Sequence, residues 1–219
     1  LARVYLYMGN WDMALSSAEL IIGNSAMYNL EPDLDSVFLK GSKEAIWQLQ
    51  PVNPGQNTND ALSFILTSAP SSIAMNRSLV NAFENGDHRK LQWVSSISVG
   101  VDTFYYPFKY KMYQSGETLA EYSAMLRLAE QYLISAEAKA EKNDVAGARA
   151  DLNIIRNRAG LSNTLAADKT SLLLAIEQER RVELFTELGH RWIDLKRTNR
   201  GDAILDSIKA PNWKPTAVL

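Results

Sequence analysis

The chain has no cysteine and only two histidines, His88 and His190, among its 219 residues. The first absence removes disulfides, thiol nucleophiles and cysteine-ligated metal centres. The second leaves no neighbouring pair of imidazoles, so neither a metal nor another cofactor is expected. Charge of one sign is lacking too: Lys plus Arg is 23, Asp plus Glu is 25, and the formal net charge is −2. That balance argues against a nucleic-acid partner or a polybasic membrane surface. No apolar run approaches the ~20 residues needed to span a bilayer. The opening, LARVYLYMG, has neither the basic start nor the cleavage site of a signal peptide. Catalytic signatures are missing as well, with no Gly-x-Ser-x-Gly, no phosphate loop and no His-Glu-x-x-His.

What is present is first a set of helical pairs. Ala2, Leu6 and Gly9 fall at i, i+4 and i+7, and Ala14, Ala18 and Ile21 follow after a turn at Gly9-Asn10. Ala129, Leu133, Ala136 and Ala140 repeat the spacing, followed after Asn143-Asp144 by Ala148, Leu152, Ile155 and Ala159. Small residues at these positions let two helices approach closely, the basis of a tetratricopeptide hairpin. Superposing Trp11–Ala14 on Val145–Ala148 aligns both pairs. The expected organisation is a mainly α fold: a hairpin over residues 1–28, a second over 122–161, and C-terminal helices over 170–200. The last begins near Ser171, runs to Glu187, and is followed by a short helix from His190 to Arg197.

Residues 29–121 are of a different kind, with Pro32, Pro51, Pro54, Pro70 and Pro107 and clusters such as NPGQNTND. A long irregular insertion with a strand at 45–49, a helix at 76–84 and one or two strands within 93–111 is expected. Insertions of this size in a compact domain tend to carry function. Aromatics crowd there. Sugar rings pack their C–H patches on flat aromatic faces, and their hydroxyls need amides or charged groups at the rim. Trp93, Tyr105 and Tyr106 are the candidate stacking residues, with Trp93 and Tyr105 foremost. Arg89, Asn57 and Asp60, together with Asn59 and Gln92, are the candidate polar rim. Strand alternation divides the aromatics, sending Phe104, Tyr106 and Phe108 one way and Tyr105 the other, and Trp47 between Ile46 and Leu49 reads as buried. Asp60, Glu84, Asp87 and Asp102 could supply a glycosidase pair, but nothing marks any two of them.

The run ERRVELFTELGHRWIDLKRT, residues 179–198, combines dense charge with an apolar stripe. At about 100° per residue Arg180 lies among Leu172, Leu173, Ile176 and Leu184, with Glu183 and Glu187 at the edge. A cation there needs a partner, and Glu183, Glu187 or, after the turn at Gly189, Asp194 could supply it. A structural ion cluster pinning two helices is the expectation, and a catalytic role for its carboxylates is the minor alternative.

This run resembles the C-terminal signature of the SusD/RagB family of outer-membrane nutrient-binding lipoproteins of Bacteroidetes: an ERR-x-EL core, then Gly, Arg and Asp-Leu with a further Arg. The matching residues are Glu179, Arg180, Arg181, Glu183, Leu184, Gly189, Arg191, Asp194, Leu195 and Arg197. One departure is Leu188, which separates Glu187 from Gly189 where the common form has Glu directly before Gly. Residues 127–161 resemble a second block through Asn153, Arg156, Arg158, Ala159 and Gly160. ENGDHRK (84–90) and EAIWQLQ (44–50) are weaker matches in the expected order. The resemblance implies tetratricopeptide-like hairpins as a scaffold and the insertion as the ligand face. It also implies a non-catalytic cell-surface protein that captures glycans and passes them to a SusC-type TonB-dependent transporter in the outer membrane. The family's lipid anchor, on an N-terminal Cys, and its Pro-rich terminal segment would lie beyond this sequence. Two alternatives stay open: a peptide-binding RagB-type protein, and a tetratricopeptide scaffold for another protein.

Overall fold

The computed structural model describes residues 1–209 and 212–214. Helices α1 (Ala2–Tyr7) and α2 (Trp11–Ile22) form the first hairpin. Helices α6 (Leu128–Glu141) and α7 (Val145–Arg158) form the second. The two turns are built alike, as the superposition requires. Gly9 and Asn143 each take a left-handed conformation, with φ of 67° and 65°. The next residue in each case caps the following helix: Asn10 accepts from the Met13 N–H and Asp144 from the Gly147 N–H.

Helix α6 is the hub, packed against α2, α7 and α8 (Lys169–Glu183). Ala129, Leu133, Ala136 and Ala140 face Ala148, Leu152 and Ile155 of α7 and Leu172 and Ile176 of α8. Ile134 and Ala138, on its other side, meet Ala2, Leu6, Ala14 and Ala18. A helix covered on both sides must also bury polar residues, and Glu130, Gln131, Ser135 and Glu137 are all buried. Beyond α8 come α9 (His190–Arg197) and α10 (Gly201–Lys209), the latter not foreseen from the sequence. Helix α8 stops at Glu183 rather than running to Glu187, because the residues that follow cannot stay helical: Thr186, Leu188 and Gly189 have φ of 60°, 45° and 71°.

The insertion has a core of its own. After a 3-10 turn at Leu34–Ser36 come strand β1 (Ala45–Leu49) and three short helices, α3 (Asn59–Phe64), α4 (Arg77–Val80) and α5 (His88–Gln92). Strands β2 (Val94–Val99) and β3 (Asp102–Pro107) form an antiparallel hairpin. Strand β4 (Ser123–Arg127) returns to pair antiparallel with β1 and feeds directly into α6. The second hairpin therefore begins at Leu128, not at residue 122. The helix expected over 76–84 is only one turn long, ending at Val80 with Asn81 as its C-cap. Leu34, Val37, Phe38, Phe83, Trp93 and Tyr110 pack together and against Val182 and Phe185 at the end of α8. The insertion is thus seated on the signature helix.

Candidate functional site

The seat is electrostatic as well as apolar. Glu183, fully buried on α8, receives Arg127 and Arg158 on one carboxylate oxygen and Arg89 on the other, at 2.6, 2.5 and 2.8 Å. Arg89 also grips Asp87 through two bonds of 2.9 Å and reaches Glu179 at 2.6 Å. Arg127 continues to Glu44 and Glu187, both at 2.8 Å, and Arg158 also contacts Glu44. Arg156 joins Glu179 at 3.3 Å and Glu84 at 2.5 Å. All four sequence blocks that carried the resemblance, around residues 44, 84–90, 127–161 and 179–198, therefore meet in one buried ion network.

Burial alone would push the Glu183 carboxyl up, but the Arg158, Arg127 and Arg89 cations hold it well below the usual range. Glu187 is held at about 2 against its burial, by Arg127 and Lys109. The Lys109 ammonium donates to the carbonyls of Glu183 and Phe185 at 2.8 and 2.9 Å, closing the C-terminal end of α8. It sits 4.1 Å from the Phe185 ring centroid and 4.8 Å from that of Trp93. Burial brings its pKa down to about 8.

Arg180 does not pair with Glu183 or Glu187. Those carboxylates are taken by cations from the insertion and from α7, and Arg180 pairs instead with Asp194, at 2.8 and 3.2 Å. Arg197 links Asp194 on to Glu137 of α6. Arg191 reaches Glu177 at 3.0 Å. Burial drives the pKa of His190, beside Tyr7, down to about 4.

The six ligand candidates divide sharply. Trp93 is wholly buried, its indole N–H donates to the Leu34 carbonyl at 3.0 Å, and Phe38 abuts it edge-on. Arg89 is equally buried and committed to three carboxylates. Tyr106 is buried against Phe108. The Asn57 amide is spent on backbone: its oxygen accepts from Ala120 and Glu121, and its nitrogen donates to Thr118. Trp93, Arg89 and Tyr106 are structural, which corrects the expectation that they meet ligand, whereas Asn57, with its amide bonded to backbone, lines a groove beside β1. Tyr105 and Asp60 keep accessible surface, and burial raises the pKa of Asp60.

A residue set aside in the sequence takes their place. Trp47 is 51 % exposed. On β1 it is Gln48 that turns inward, donating to the Leu39 carbonyl at 3.1 Å, so Trp47 and Leu49 share the outward face. Leu49 forms one wall of a groove of about 230 Å³ whose other walls include Gln50, Asn53, Gln56, Asn59 and Ser123. The loop over it is stiffened by Pro51 and Pro54 and tied down at Gly55, whose carbonyl accepts from the Gly116 N–H at 2.9 Å. Both glycines are left-handed, with φ of 72° and 86°. An aromatic edge beside fixed amides is a surface suited to polyhydroxylated ligands.

A sequence profile of the SusD family matches residues 94–213, more than half of the chain. The chain belongs to the SusD family. Solved SusD-like structures agree in fold. A SusD superfamily protein from Bacteroides vulgatus superposes with a TM-score of 0.75 at 20% identity, over 96% of this chain and 52% of that one. A surface glycan-binding protein A from Bacteroides thetaiotaomicron gives 0.72 at 20%, over 93% and 54%. A laminarin-binding SusD-like protein gives 0.72 at 24%, over 98% and 56%. The chain thus spans about half the length of the SusD-like structures it matches. Among curated protein sequences none matches.

Proposed function

We propose that this chain is part of a non-catalytic glycan-capture protein at the cell surface, delivering oligo- or polysaccharide to a SusC-type TonB-dependent transporter. The outer surface of the outer membrane, reached through an N-terminal lipid anchor, is the location that accompanies this reading. The observation that carries it is the exposed Trp47 on the same outward strand face as Leu49, which lines an amide-rich groove. The glycan-binding and laminarin-binding SusD-like proteins of the same fold support it. Tyr105 and Asp60 are retained as further contacts because both keep accessible surface.

The reading includes no turnover. Glycoside hydrolysis needs two carboxyl groups across the scissile bond, and the groove walls hold amides, hydroxyls and aliphatic groups. The helical pairs serve as the rigid support and as the face offered to the transporter. The test is native affinity electrophoresis through gels cast with a panel of polysaccharides, with a peptide digest titrated in parallel by calorimetry. Retardation by a polysaccharide supports glycan capture. Silence on all polysaccharides with heat from peptides would move the protein to peptide capture, and silence on both would favour a plain scaffold.

A further inference from the structure

The segment from Ala45 to Asn76, which supplies β1, the groove loop and α3, contains one charged residue, Asp60, and no Lys or Arg. The residues walling the groove carry no formal charge at all. The strip to which the loop is tied, residues 113–120, adds Glu117 and again no cation. The cation just before that strip, Lys111, is engaged by Asp35 at 2.5 Å and lies over the Phe108 ring.

We infer that the groove beside Trp47 takes an uncharged, hydroxyl-rich polysaccharide and turns away chains bearing uronate or sulfate groups. This rests on the glycan-capture reading above. The selectivity has two sides. An amide both donates and accepts: Asn53 donates to the Gln56 side-chain oxygen at 3.0 Å, and the Asn53 oxygen, the Gln56 nitrogen and Asn59 can answer sugar hydroxyls without a charge. A carboxylate or sulfate entering the same groove would shed water with no cation among the groove walls to compensate. The formal charges within these two segments, Asp60 and Glu117, have the wrong sign for it. Because no ion pair forms on binding, retention of the neutral chain should be insensitive to salt.

The test runs the chain through gels containing neutral polymers (starch, laminarin, xyloglucan, galactomannan) and acidic ones (polygalacturonate, alginate), each at low and high salt. Retardation by at least one neutral polymer, unchanged by salt, is expected. It should weaken about tenfold or more in Trp47→Ala and Asn59→Ala. Both side chains are exposed, so melting curves should match the parent. Carboxylating the retained polymer at C6 should abolish its retention, and Gln56→Lys should restore part of it. Retention confined to acidic polymers and lost in salt would overturn the selectivity while leaving glycan capture standing. Neutral retention untouched by both alanine variants would overturn this groove as its seat. Absence of retention on every polymer would overturn glycan capture itself.

Discussion

Two regions of this molecule handle polarity in opposite ways. Where the insertion sits on α8, charge is concentrated and buried: Arg89, Arg127 and Arg158 converge on Glu183, with Asp87, Glu44, Glu179 and Glu187 completing the set. Around the Trp47 groove, formal charge is nearly absent and the polar groups are amides and hydroxyls facing solvent. The first arrangement fixes one geometry, because each ion is satisfied only when the others are in place. The second holds its amides at the surface, with Asn53 donating to Gln56 at 3.0 Å and hydrogen-bonding capacity left over for a ligand. Motif density marks the first region and says little about the second.

The largest expected effect comes from breaking the charged region. Arg127→Ala strands Glu44, Glu183 and Glu187 without their shared partner, and should destabilise the fold by about 3–5 kcal/mol in denaturant titration. A loss within error would mean that the network is solvated rather than buried.

Next in size is acid sensitivity. Burial holds His190 neutral, with a pKa of about 4 against 6.5 when free. Between those values the unfolded chain binds the proton and the folded chain does not, so stability falls as pH drops from 6.5 towards 4. The loss from this residue is about 3 kcal/mol, and His190→Gln should remove it. Glu187, held at about 2, is stabilising above its free value of 4.5, and that contribution is lost as pH falls from 4.5 towards 2. Thermal melts across pH would check both. A flat profile from pH 7 to 4 would contradict the burial of His190.

A smaller effect belongs to the turn between α8 and α9. Leu188 holds φ of 45° with much of its side chain exposed. Leu188→Gly should relieve that strain and raise stability by about 1 kcal/mol. A decrease would show that the exposed leucine has a packing role.

The helical scaffold was legible because its signals are local. The spacing of Ala129, Leu133, Ala136 and Ala140 and the turns at Gly9-Asn10 and Asn143-Asp144 are read within a few residues. Strand β4 was not, because it becomes a strand only by pairing with β1, which lies far back in the chain. Arg180 was correctly placed in an apolar stripe, yet its partner depended on which cations other segments delivered to Glu183 and Glu187. Trp93 and Arg89 were misjudged together. Trp93 is the C-cap of α5, one turn after Arg89 and bonded to its carbonyl, so a buried Arg89 goes with a buried Trp93. Asp-x-Arg at 87–89 was the available signal, because Asp87 caps the helix and orients Arg89 inward. Trp47 was misjudged for the reverse reason. Its strand turns the polar Gln48 inward and the apolar Trp47 and Leu49 outward, against the usual alternation, because Leu39 offers Gln48 a carbonyl.

The smallest expected change in stability is paired with a large change in binding, and that pairing is the central claim. Trp47→Ala should alter the melting free energy by no more than about 0.5 kcal/mol, since the ring is half exposed and outside the network. The most direct measurement takes this variant's melting curve and its retardation by the retained polysaccharide on the same sample. An unchanged melt with retardation lost is the predicted result. Retardation kept at parental strength, or lost only alongside a collapsed melt, would contradict the separation of scaffold from ligand face.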